Sequence, residues 1–91
     1  MNKKEATKLI GSEIRKQRIA VGVTVTHLAK SINVHRNTIA NYELGKTDVS
    51  SSNLYKLAQV LGCSIEVLLG IRNGPPMPKF LSWENQIKDG A

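Results

Sequence analysis

The side chains of this chain that could do chemistry suit recognition better than reaction. Arg36, Asn37 and Asn41 lie outside the stripe formed by the apolar pair Ile39 and Tyr42. An arginine fork can donate two hydrogen bonds to guanine, and an asparagine amide can pair with the edge of adenine. Reaction chemistry finds no support, because the chain shows neither a nucleophile paired with a base nor a glycine-rich phosphate loop. Cys63 is the lone cysteine and excludes an intramolecular disulfide; His27 and His35, the only histidines, form no zinc-ligand spacing with it. Neither an enzyme activity nor a cofactor or metal is expected.

Short helices must position these groups. A helical pattern opens near Ala6, carries Ile10 and Ile14 one turn apart, and stops at Gly22, which predicts a first helix over roughly 6–21. Thr24 is a cap candidate for a second helix whose buried stripe is Leu28, Ala29 and Ile32 and which ends at Asn33. Asparagine accepts the left-handed backbone of a tight turn, so Asn33 followed by apolar Val34 reads as a turn pinned into the core. A third helix over about 35–43 follows, with Gly45 as its stop. The polar stretch 47–52 reads as a loop. Leu54, Leu57, Ala58 and Leu61 mark a fourth helix ended by Gly62, and Ser64 caps a short fifth one carrying Ile65, Leu68 and Leu69 before Gly70. No alternating run is long enough for a strand, so the fold class is all-α.

Composition agrees with one small basic domain. Ninety-one residues with 41% apolar content supply one small core and no room for a second domain. The net charge of +6 is unevenly spread: residues 1–22 hold six basic and two acidic groups and 23–46 three and one, whereas 47–70 hold one and two. Such asymmetry points towards a polyanion, with a merely solvated face as the alternative. The basic start at Lys3, Lys4 and Lys8 is followed by no apolar segment of signal-peptide type, and no run approaches the roughly 18 apolar residues of a membrane span. A soluble, cytoplasmic protein is expected, without membrane association. Asn73-Gly74-Pro75-Pro76-Met77-Pro78 cannot be helical and divides the chain into a domain over 6–70 and a C-terminal extension over 71–91. In that extension Phe80, Leu81, Trp83 and Ile87 could line a short helix that folds back, joins a dimer interface or grips a protein partner; a disordered tail is the alternative.

Two helices joined by a three- or four-residue turn need a small residue where the second crosses the first, a left-handed turn residue, and two buried apolar residues one turn apart. Ala29, Asn33, and Ile39 with Tyr42 meet those demands, and Leu28, Ile32 and Val34 fill the wedge. The pattern is a helix-turn-helix. In register with it stand Ile10-Gly11, Ile14-Arg15, Arg18 to Gly22, Thr38-Ile39, Tyr42-Glu43-x-Gly45-Lys46, Leu57-Ala58-x-x-Leu61-Gly62 and Ser64-Ile65-Glu66-x-Leu68-Leu69. Over Ile10 to Leu69 the chain thereby resembles the Cro/cI-type (XRE-like) helix-turn-helix regulators of phages and bacteria.

That resemblance implies a compact five-helix, lambda-repressor-like domain binding double-stranded DNA as a homodimer, with the third helix in the major groove. It assigns base readout to Arg36, Asn37 and Asn41; a phosphate contact or a solvated charge is the alternative for Arg36. Thr38 and Lys46 match positions that hold phosphates. Thr24, at the start of the second helix, and His35, where Ser or Thr usually caps the third, are further phosphate candidates. His35 is expected to be a poorer cap, and its charge could make affinity depend on pH. Arg18 and Glu43 match a structural ion pair. Two departures remove phosphate ligands: Val25 stands where Gln is common, and Leu44 where a polar residue is common. Lys3, Lys4, Lys8, Arg15 and Lys16 are then expected to carry more of the electrostatic load, in keeping with the segmental charge. Cys63 takes the place of a core valine. The function implied is a sequence-specific transcriptional regulator, in particular a dimeric repressor of inverted-repeat operators. The alternatives are an antitoxin or restriction-modification controller with the same domain, or a protein-interaction adaptor.

Overall fold

The computed structural model describes residues 2–71. Residues 72–91, with the Phe80, Leu81, Trp83 and Ile87 cluster, lie outside the described residues. Five helices follow one another: α1 (Lys3–Val21), α2 (Val25–Ser31), α3 (Arg36–Glu43), α4 (Ser51–Leu61) and α5 (Ile65–Leu68). None of them is long and apolar enough to cross a membrane.

Each helix starts and stops on side-chain chemistry written into the sequence. The side chains of Asn2, Thr24, Ser50 and Ser64 accept the backbone N–H three residues ahead, and His35 accepts that of Asn37. Such caps satisfy donors that the first helical turn leaves without partners. At the other ends Gly22, Asn33, Gly45, Gly62 and Gly70 carry positive φ. The next residue's N–H then returns to a carbonyl five residues back, as Val34 does to Ala29 and Lys46 to Asn41, both at 3.0 Å. Asn33 is the only non-glycine with positive φ among the described residues, at 60°. Its short amide side chain tolerates a conformation that costs most L-residues 1–2 kcal/mol, roughly, so the turn between α2 and α3 stays tight.

Two boundaries differ from the sequence expectation. α1 begins at Lys3 rather than near residue 6, because Asn2 Oδ1 accepts the N–H of Glu5 at 2.8 Å and adds a turn with no buried apolar residue. α4 begins at Ser51, inside the stretch read as a loop, because Ser50 Oγ accepts the N–H of Asn53 at 3.2 Å.

The core is assembled evenly. Ile14, Leu28, Ile39, Leu57 and Leu68 are its largest fully buried side chains, one from each helix. Ala29, Ile32, Tyr42, Leu54, Ala58 and Leu61 complete it, and Val25, Val34 and Cys63 pack against its edge. Burying five large aliphatic side chains at about 2 kcal/mol each is the main driving force holding so small a domain together. Tyr42 also keeps its hydroxyl satisfied, accepting from Asn53 Nδ2 at 2.9 Å and so tying α3 to α4.

Candidate nucleic-acid interface

α3 is an eight-residue helix, about 12 Å long, with two unlike sides. Ile39 and Tyr42 face the core. Arg36 and Asn37, its first two residues, are exposed, and Thr38 and Asn41 are half-buried. The structure therefore brings the three expected readout residues onto the first two turns of one helix, outside its buried stripe.

Three devices hold α3 in place. At the close crossing with α1, Gly11 gives the backbone of α3 room: an added Cβ would stand 2.0 Å from the carbonyl oxygen of Tyr42. Near the C-terminal end, Arg18 Nε donates to Glu43 Oε2 at 2.6 Å and Arg18 Nη2 to Glu43 Oε1 at 3.0 Å. The third guanidinium nitrogen, Nη1, donates to the carbonyl of Val23 at 3.0 Å, so one side chain joins α1, the α1–α2 turn and α3. The hydrogen bonds to Glu43 raise the Arg18 pKa, against the opposing effect of burial and with help from the charge of Glu43. Finally, Gly45 ends the helix where its missing Cβ would press on Lys8 Cγ at 2.7 Å and Lys8 Cα at 2.9 Å. Lys46 follows directly and is exposed.

The electrostatic result favours an anion. Glu43 is the only carboxylate on α3, and its side chain is 7% exposed and locked against Arg18. The outward side of the helix consequently carries Arg36, two asparagines and no negative charge of its own.

The phosphate candidates are placed as follows. Thr24 caps α2, its Oγ1 accepting from the His27 N–H at 3.0 Å, which leaves the hydroxyl proton to be donated outward. His35 does cap α3: Nδ1 accepts the Asn37 N–H at 3.1 Å. Its ring reaches the N–H two residues ahead, whereas the caps of the other four helices reach the one three ahead. Val25, which lacks the phosphate-binding amide, packs instead on the core. Leu44, the C-cap residue of α3, is 63% exposed.

Sequence reasoning missed a second group. Thr7 Oγ1 donates its single proton to Asp48 Oδ1, with the carbonyl of Lys3 also in reach at 2.9 Å, and Lys3 Nζ lies 3.0 Å from Asp48 Oδ2. These contacts tie the start of α1 to the loop between α3 and α4. The Thr7 hydrogen bond, then that of Lys3, holds the Asp48 carboxyl below its ordinary value of 3.8. A depressed folded-state pKa means that this tie is fully made above the ordinary aspartate range and is lost as pH falls through the lower folded value. No local signal announces a contact between residues so distant in the chain, so only the fold could have found it.

Known proteins share both the fold and the sequence pattern. A helix-turn-helix family model matches residues 14–68. An uncharacterized HTH-type transcriptional regulator of Archaeoglobus fulgidus is 40% identical over 57 residues, covering 63% of this chain and 81% of the relative. Among solved structures, the restriction-modification controller protein C.AhdI of Aeromonas hydrophila superposes with a TM-score of 0.70 at 26% identity, covering 75% of this chain and 99% of that one. The clp gene regulator ClgR of Corynebacterium glutamicum does so with a TM-score of 0.68 at 30% identity, covering 70% of this chain and 82% of its own. Five helices without a strand among the described residues, a polar α3 held by Gly11 and Arg18, and these matches agree: the chain belongs to the XRE-type helix-turn-helix family of DNA-binding transcriptional regulators.

Proposed function

We propose that this regulator is a dimeric repressor that binds inverted half-sites through α3. Arg36, Asn37 and Asn41 read base edges in the major groove, while Thr24, His35, Thr38 and Lys46 hold the phosphates that fix the register. The observation that carries this reading is the one-sided chemistry of α3, whose only carboxylate is locked by Arg18 and whose exposed residues, Arg36 and Asn37, are cationic and hydrogen-bonding.

Size argues for two copies. A helix of about 12 Å spans about four base pairs, which is too little sequence to mark a site in a genome. Two copies related by a two-fold axis double the sequence read, with half-sites about one helical turn apart. A restriction-modification controller would work through the same contacts, in keeping with the likeness to C.AhdI.

Selection of duplexes from a random pool, followed by footprinting, tests the proposal. The expected product is an inverted repeat whose half-site centres lie about 10 base pairs apart. Enrichment of a single asymmetric site would refute the dimer, and a pool that never converges would refute base readout.

A further inference from the structure

An open cleft of about 650 Å³ lies where the first turns of α1 meet the turn after α3. We propose that this cleft is a second anchoring site for the DNA backbone, taking phosphodiester groups at the rim of the groove that α3 enters. The inference rests on the reading of α3 as the DNA-contacting helix.

Charge comes first. Lys3, Lys4 and Lys8 line the cleft from α1, and Lys46 lines it from the other side. Asp48 is the only acid among the lining residues, and its carboxylate is already engaged by Thr7 and Lys3. The ion pairs among the described residues are Lys3–Asp48, Lys16–Glu13 and Arg18–Glu43. Lys4, Lys8 and Lys46 thus face one concavity without a carboxylate partner among those residues. Three ammonium groups on one rim repel each other, and a phosphodiester relieves that repulsion.

Placement comes second. Asn37, Asn41 and Leu44 stand at i, i+4 and i+7, so a single stripe of α3 runs from the readout positions to Leu44, which is itself a lining residue. The offset along the helix axis is about 10 Å, comparable with the width of about 12 Å of the major groove. A helix whose first turns address base edges therefore brings its last turn, and the cleft, to the bordering strand. Rigidity comes third: Lys8 packs against Gly45, and the Thr7–Asp48 hydrogen bond clamps the loop, so the cleft exists before any ligand arrives.

The test compares the full chain with a Lys4→Gln/Lys8→Gln variant on a selected duplex and on random duplex. Glutamine keeps the stem that packs over Gly45 and removes the charge. The variant is expected to flatten the slope of log affinity against log salt by about 1 to 2 on both duplexes, and to leave the preferred sequence unchanged. Between about 50 and about 200 mM salt the parent then loses about tenfold more affinity than the variant. Ethylation interference should lose its outermost phosphates in the variant. If thermal melting shows the double variant to be less folded, Lys4→Gln alone carries the test, with a slope change of about 1. An unchanged slope overturns the inference, as does lysine-dependent, saturable binding of inorganic phosphate that leaves duplex binding untouched. A parent that selects no duplex sequence fails the reading of α3 itself, whereas a parent that selects one with a lysine-independent slope fails the cleft alone.

Discussion

Gly11→Ala lowers the stability of the domain by about 3 kcal/mol or more, opposite in sign to an ordinary glycine-to-alanine change within a helix. Alanine normally gains about 1 kcal/mol there, because glycine loses more backbone freedom on folding. Here the new Cβ would stand 2.0 Å from the Tyr42 carbonyl oxygen and 3.1 Å from that of Glu43. Both obstacles are backbone, so no rotamer change relieves the overlap. The Tyr42 carbonyl also accepts the Gly45 N–H at 3.0 Å, so displacing it loosens the end of α3 as well. Overpacking of this kind costs about 1–3 kcal/mol where side chains can yield, and more where backbone must move. Small domains hold only about 5 kcal/mol in total, so the variant keeps about 2 kcal/mol or less and should unfold at a much lower urea concentration. Urea denaturation followed by circular dichroism checks this, with Ser12→Ala, on the exposed side of α1, as a control expected to gain a few tenths of a kcal/mol. A Gly11→Ala protein as stable as its parent would mean that α1 and α3 do not cross as described.

Arg18→Ala is the second large effect, at about 3–5 kcal/mol. Both partners are shielded, at 15% and 7% side-chain exposure, so removing the guanidinium strands the Glu43 carboxylate away from water and also releases the Val23 carbonyl. Arg18→Lys should recover only part of the loss, because an ammonium cannot make the paired contacts to both carboxylate oxygens. The pair need not be more stabilising than apolar packing in the same space. Arg18→Met/Glu43→Leu should therefore return close to the stability of the parent, which distinguishes a stranded charge from simple loss of volume. Thermal melts of the two single variants and the double variant give the comparison. An Arg18→Ala protein that loses less than about 1 kcal/mol would show that the pair is open to solvent.

Much of this architecture was legible because the joints are made by residues with one purpose. Asn33 and the glycines after the helices mark the stops directly, and Thr24 and Ser64 mark two of the starts. The first turn of α1 was not legible from apolar periodicity, since Lys3, Lys4 and Glu5 bury nothing; Asn2 with Glu5 three residues later was the available signal. The start of α4 was hidden among Ser50, Ser51 and Ser52, any of which could cap, and only the geometry singles out Ser50. At the site, the outward positions of Arg36, Asn37 and Asn41 followed from the Ile39/Tyr42 stripe alone. The pairing of Arg18 with Glu43 came through family resemblance, because no spacing rule links two residues on different helices. The Thr7–Asp48–Lys3 group was legible by neither route, since it arises where α1 crosses the end of α3. The basic load on Lys3, Lys4 and Lys8 was legible from the charge distribution, but not that these lysines share a cleft with Lys46.

If α3 reads sequence at its first turns and the residues past its end hold the backbone, the two roles separate on substitution. Arg36→Ala and Lys46→Ala, titrated side by side against a selected duplex and random duplex over a range of salt, make that comparison. Arg36→Ala should cost about 1–3 kcal/mol on the selected duplex and relax preference at one base pair, whereas Lys46→Ala should weaken both duplexes alike and flatten the salt slope by about 1. If both substitutions change the two duplexes equally, α3 does not read bases through Arg36.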